Sequence, residues 1–169
     1  MAYTDISHME GLIPHKYGSS VVEIPGARSL ISSMEQLSTP WAIVTSGTRP
    51  LVTGWLSILN LPKPEHLVTA EDVEHGKPDP TCYKIGLRKL KMEGRASEVL
   101  VIEDSPAGIR AGKKAGCKVL GLVTSHTIKQ VLDAGPDWVM KDLSSVRTVR
   151  RGSDGQRVTL EIRDALLSA

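Results

Sequence analysis

Phenylalanine is absent from these 169 residues, and aromatic side chains of any kind make up only 4% of them. The apolar bulk of a core must therefore come from valine, leucine, isoleucine and alanine. Cysteine is scarce as well. The two present, Cys82 and Cys117, form no Cys-x-x-Cys and no cysteine–histidine pairing at metal spacing. They read as small buried hydrophobes rather than as ligands or disulfide halves. No apolar run approaches the roughly 20 residues of a membrane span. Residues 1–10 hold no apolar stretch of a secretory leader. A cytoplasmic, reducing setting without a membrane partner is the expectation. Neither sign of charge dominates: the formal net charge is +2, with lysine and arginine spread along the chain. Nucleic-acid binding needs a clustered basic stripe, so no such partner is expected. The one short basic run, 147–151, reads as a solvated hairpin edge. The five histidines share no spacing and none is assigned to a metal.

What is present is ordinary for a globular chain. Apolar residues make up 40% and charged ones 24%. The length suits one domain with a single core. Apolar periodicity predicts a helix over 27–37, where Leu30, Ile31, Met34 and Leu37 share a face. The continuous runs 41–45, 99–102 and 118–123 read as strands buried on both faces, with a weaker run at 67–70. Pro50 and Pro106 suit first turns of helices over 51–59 and 106–115, and Gly116 suits the end of the second. A helix over 81–90, a short one over 128–134, a short strand over 138–140 and a hairpin over 146–149 and 158–162, turning at Asp154-Gly155, complete the pattern. Residues 1–20 are polar and weakly patterned. Strand and helix in alternation predict an α/β, Rossmann-like parallel sheet with helices on both faces. In such sheets ligands sit outside the carboxyl ends of the strands.

Three polar clusters fall at or near such ends. In Thr45-Ser46-Gly47 a hydroxyl and free backbone N–H groups suit a phosphate oxygen, although a helix cap uses the same residues. In Gly76-Lys77-Pro78 the neighbours set the backbone of the lysine, whose ammonium is a point charge for phosphate; an exposed loop lysine is the plain alternative. In Glu103-Asp104-Ser105 two acids follow four apolar strand residues. A buried carboxylate must be paired or bound to a cation, and Mg²⁺ takes such hard oxygen ligands. The competing reading is an ion pair with a nearby lysine, Lys77 among them.

The order hydroxyl, lysine, acid pair, spaced 32 and 27 residues (Thr45, Lys77, Asp104), resembles the haloacid dehalogenase superfamily. The strings that carry the likeness are Val44-Thr45-Ser46-Gly47-Thr48-Arg49, Gly76-Lys77-Pro78-Asp79-Pro80 and Val101-Ile102-Glu103-Asp104-Ser105-Pro106-Ala107-Gly108-Ile109. Within it the chain is most similar to fungal glycerol-phosphate and 2-deoxyglucose-6-phosphate phosphatases, through Glu10-Gly11-Leu12-Ile13-Pro14-His15-Lys16-Tyr17-Gly18, Ile24-Pro25-Gly26-Ala27 and Thr69-Ala70-Glu71-Asp72-Val73. The resemblance implies a Mg²⁺-dependent phosphatase acting on a small sugar or polyol phosphate through a phospho-aspartate. It implies that Thr45, Ser46, Gly47, Arg49 and Lys77 contact the phosphorylated substrate, with Thr45 and Lys77 catalytic, and that Asp104 and Glu103 hold Mg²⁺. It implies too that residues 1–20 are a remnant of a cap domain and hinge, and 21–169 an incomplete core.

The departure from the pattern is as informative. The family's nucleophile sits in an Asp-x-Asp-Gly-Thr motif on a first strand, and no Asp-x-Asp occurs anywhere here. The first strand and most of the cap are expected to be missing, as in a truncated gene product. That strand is central in the family's sheet, so its flanking strands should either close on each other or leave open edges. A phosphate-binding pseudo-enzyme, a sugar phosphomutase similar to beta-phosphoglucomutase, and a partner-binding domain are the other readings. A monomer handling a small phosphorylated metabolite is the expectation for partners.

Overall fold

The structure, a computed structural model, describes residues 3–150 and 158–168. In chain order the elements are α1 (Tyr3–Tyr17), α2 (Ala27–Gln36), β1 (Ala42–Val44), α3 (Arg49–Ile58), β2 (His66–Val68), α4 (Thr81–Lys89), β3 (Leu100–Glu103), α5 (Pro106–Lys114), β4 (Lys118–Leu122), α6 (Ile128–Leu132), β5 (Trp138–Met140), β6 (Val146–Arg150), β7 (Val158–Ile162) and β8 (Leu167–Ser168). The α/β alternation read from the sequence is present. The Asp154-Gly155 turn lies outside the described residues. No described helix is long and apolar enough to cross a membrane.

The parallel strands form two separate sheets. β1 pairs with β2, in register Ala42↔His66 to Val44↔Val68. β3, β4 and β5 pair in parallel, and β8 adds an antiparallel edge on β5. β6 and β7 form the expected hairpin. Among the described residues β1 and β3 each have a strand on one side only, and they do not pair with each other. The consequence is visible in β1: Ala42, Ile43 and Val44 are half-buried, not buried on both faces as their apolar run suggested.

Alternation along β3 and β4 sorts the core into two layers. Val101 and Val119 face α4, α5 and α6, in a cluster that also holds Val68 of β2, Ile109 and Val139. Leu100, Ile102, Leu120 and Leu122 face the other way, against Leu30 of α2, Met140 and the hairpin residue Val146. Because the first cluster contains both Val68 and Val101, one core joins the two sheets. Gly26 caps α2 at φ +85°, and any side chain there would strike the Leu143 backbone, so only glycine suits that corner.

Residues 3–17 form a helix where the sequence pattern suggested none. α1 packs on α3 through small and ring contacts: Pro14 sits on Gly54, Gly11 on Pro50 and Gly18 on Ile58. The larger apolar residues of α1, Ile6, Met9, Leu12 and Ile13, are exposed, so the face that packs on α3 carries little apolar signal.

Candidate active site

Thr45-Ser46-Gly47 directly follows β1, Gly76-Lys77-Pro78 lies in the loop between β2 and α4, and Glu103 ends β3 with Asp104 and Ser105 just after it. β1 ends at Val44, and the Thr45 amide extends its pairing by donating to the Val68 carbonyl at 2.9 Å. The chain then turns: the Gly47 amide donates to Thr45 Oγ1 at 3.0 Å. The two amides that open α3 are already bonded. Thr48 N–H donates to Glu10 Oε2 (2.9 Å), and Arg49 N–H to both Glu71 oxygens (2.9 and 3.1 Å). Carboxylates favour this end of a helix. Of the amides of residues 46–49, Ser46 alone is without a partner among the described residues. Thr48 Oγ1 is the one buried side-chain polar atom left unpaired among them.

Lys77 reaches across both sheets. Its Nζ donates to the Val44 carbonyl at the end of β1 (3.1 Å) and pairs with Glu103 Oε1 at the end of β3. Both side chains are below 10% exposure (9% and 8%). The face of the Tyr83 ring lies 5.0 Å from the same Nζ. An ammonium has three N–H donors, so one is without a hydrogen-bond acceptor among the described residues.

Glu103 has no such spare capacity. Oε1 accepts from Lys77 and from the Tyr83 hydroxyl (2.6 Å); Oε2 accepts from the Ser105 amide and hydroxyl (3.3 and 3.1 Å). Gly108, in the first turn of α5, presses against its carboxylate so closely that a Cβ would clash. Burial first, and then the Glu103 charge, push the Tyr83 phenol far above its ordinary value, so it stays a donor. The thiol of Cys82 is raised as well, chiefly by burial, and remains neutral.

Asp104 is different. Its Oδ2 accepts from Thr124 (3.1 Å) and Ser125 (2.7 Å), just past β4; among the described residues no donor reaches Oδ1. A free, half-buried carboxylate oxygen fits a Mg²⁺ ligand, whereas Glu103, saturated by four donors, does not. No group of three or more metal-type side chains gathers among the described residues.

Thr45, Ser46, Gly76 and Lys77 line one cavity of about 230 Å³, with Cys82 and Glu74. The structure thus brings the first two clusters together and joins the third to them through the Lys77–Glu103 pair. Gly47 only shapes the turn. Arg49 turns away, its guanidinium on Asp72 (3.1 Å) and Thr69 (3.4 Å). Four contributors escaped the sequence reading. Glu10 and Tyr83 carry no local signal. Thr124 and Ser125 could have been found by the rule applied to Thr45, hydroxyl residues directly after an apolar strand.

The profile of haloacid dehalogenase-like hydrolases matches residues 8–122. The chain is 38% identical over 167 residues to "Glycerol-1-phosphate phosphohydrolase 1" of Saccharomyces cerevisiae, covering 95% of this chain and 67% of that protein. It is 35% identical to "2-deoxyglucose-6-phosphate phosphatase 1" of the same yeast, covering 95% and 71%. Among solved structures, a hydrolase from Pseudomonas syringae superposes with a TM-score of 0.70 at 27% identity, over 77% of this chain and 59% of that one. The chain therefore spans about three fifths to seven tenths of the length of these relatives. By profile and identity alike, it belongs to the haloacid dehalogenase-like hydrolases.

Proposed function

We propose that the site serves Mg²⁺-dependent hydrolysis of a small polyol or sugar phosphate. The observation that carries this reading is Lys77: a nearly buried ammonium, fixed between the ends of β1 and β3, with one N–H left beside the Thr45–Ser46 turn. The Ser46 amide and the Thr45 hydroxyl would hold phosphoryl oxygens, and Lys77 would balance the charge that grows on them in the transition state. Mg²⁺, when bound, would add a second positive charge at the phosphoryl group, and Asp104 is the residue that would hold it. Thr124 and Ser125 fix the Asp104 carboxylate for that task. Glu103 is assigned to Lys77, not to the metal. The yeast relatives, named for glycerol 1-phosphate and 2-deoxyglucose 6-phosphate, support a small polyol or sugar ester as substrate.

Phospho-aspartate chemistry also needs a carboxylate that attacks phosphorus. Glu103 is engaged and Asp104 is placed for a cation, so neither takes that role; the attacking group belongs on an Asp-x-Asp-Gly-Thr strand that this sequence lacks. The test is phosphate release from glycerol 3-phosphate with Mg²⁺, by the chain alone and by the chain extended upstream with such a strand. The expected result is no release by the first and release by the second, with Lys77→Ala lowering the rate about 10²–10³-fold. Release by the chain alone would contradict the reading, since it requires a nucleophile within the residues given.

A further inference from the structure

Arg49 lines a cavity other than that of Lys77. This second cavity, of about 310 Å³, is bounded by α3, by the loop before β2 and by the end of α4. Its cations come from three distant stretches of chain: Arg49, Lys63 and Lys89. The Arg49 guanidinium is held in place by Asp72 and Thr69. Lys63 and Lys89 have no hydrogen-bond or ion-pair partner among the described residues, although Glu65 lines the same space. Asp72 faces the charge of Lys89 as well as that of Arg49, and Glu65 lines the hollow, so the cations are offset in part; what Lys63 and Lys89 still offer an anion is ammonium N–H groups with no acceptor among the described residues. The floor is apolar, made by buried Leu56 with half-buried Leu67 and Pro64. The size lies at the lower end of small-molecule sites, which run from about 300 to 1,000 Å³.

We propose that this cavity is a second anion site, separate from the Lys77 cavity, which takes a small organic phosphate. Its phosphoryl oxygens meet Lys63 and Lys89, with Arg49 at the rim, and its carbon skeleton lies on Leu56, Pro64 and Leu67. The site uses none of the residues assigned to hydrolysis, so it stands or falls independently of that assignment.

The experiment is an amide chemical-shift titration of the full chain with inorganic phosphate and with phenyl phosphate. It compares the parent, Lys77→Ala, and the double variant Lys63→Ala/Lys89→Ala, whose exposed side chains bear little on folding. The expected result is a saturable shift at the Lys63, Leu67 and Lys89 amides that persists in Lys77→Ala and weakens about tenfold or more in the double variant. Phenyl phosphate should bind more tightly than inorganic phosphate, because its ring covers the apolar floor. Absent or unsaturable shifts at those amides, equal affinity in the double variant, or shifts that vanish in Lys77→Ala would each overturn the proposal. Equal affinity for the two probes would overturn the assignment to an organic ester. A silent Thr45–Ser46 turn, by contrast, would count against the hydrolytic site alone.

Discussion

Glu103 ties the end of β3 to the end of β1 through Lys77. Four donors converge on its carboxylate, and the pair with Lys77 is almost dry. Removing one partner of such a pair strands the other charge. Glu103→Ala should therefore cost about 3 kcal/mol or more in urea unfolding, while Tyr83→Phe, which removes one neutral donor, should cost about 1 kcal/mol. Equal, small effects from both would mean that the pair is solvated. On the proposed assignment the two acids differ: Mn²⁺ or Mg²⁺ binding should weaken in Asp104→Asn and persist in Glu103→Gln, as titration calorimetry would show. Sequence reading found both acids but not this division of labour. The pairing of Lys77 with Glu103 spans 26 residues and depends on how β1 and β3 come together, which no local pattern encodes.

At the scale of elements, α5 is set by what its first turn must avoid. Ser105 caps it by accepting from the Gly108 amide at 3.0 Å, Pro106 opens it, and Gly108 leaves room for the Glu103 carboxylate. Gly108→Ala should destabilise by about 1–3 kcal/mol through overpacking, and thermal denaturation measures it; a neutral outcome would mean that the helix can shift away. β3, β4 and α5 were legible because continuous apolar runs and Pro–Gly punctuation are local signals. α1 was not, since Gly11, Pro14 and Gly18 pack by closeness to α3 rather than by apolar bulk. β8, a two-residue strand, has too little sequence for any pattern.

Over the whole molecule, the division into two sheets predicts uneven stability. Among the described residues β2 and β1 pair only with each other, so their amides should exchange with solvent faster than those of β4, which is paired on both sides; equal protection would mean that the two sheets open as one unit. The absent Asp-x-Asp strand left two outcomes open, flanking strands that meet or edges that stay apart, and no local pattern chooses between them, because strand pairing is decided by which edges meet. Acid should loosen the fold through Asp137. Burial alone would raise its carboxyl, but the Lys113 hydrogen bond, the Val119 amide and the charges of Lys113 and Lys118 outweigh this and hold it below its ordinary value of 3.8. A carboxyl depressed in the folded state stabilises fully above that ordinary value, and the contribution is lost as pH falls through the lowered folded one. The urea midpoint should thus fall at acid pH, and fall less in Asp137→Asn.

Lys77, beside the Thr45–Ser46 turn, is proposed as the phosphoryl-binding charge of the site. The most direct measurement is the affinity of the chain for inorganic phosphate at the Thr45 and Ser46 amides, followed by chemical shift in the parent and in Lys77→Ala, with both variants shown to be folded. Saturable binding is expected in the parent, weakening at least about tenfold in the variant. Binding there of equal strength without Lys77 would contradict it.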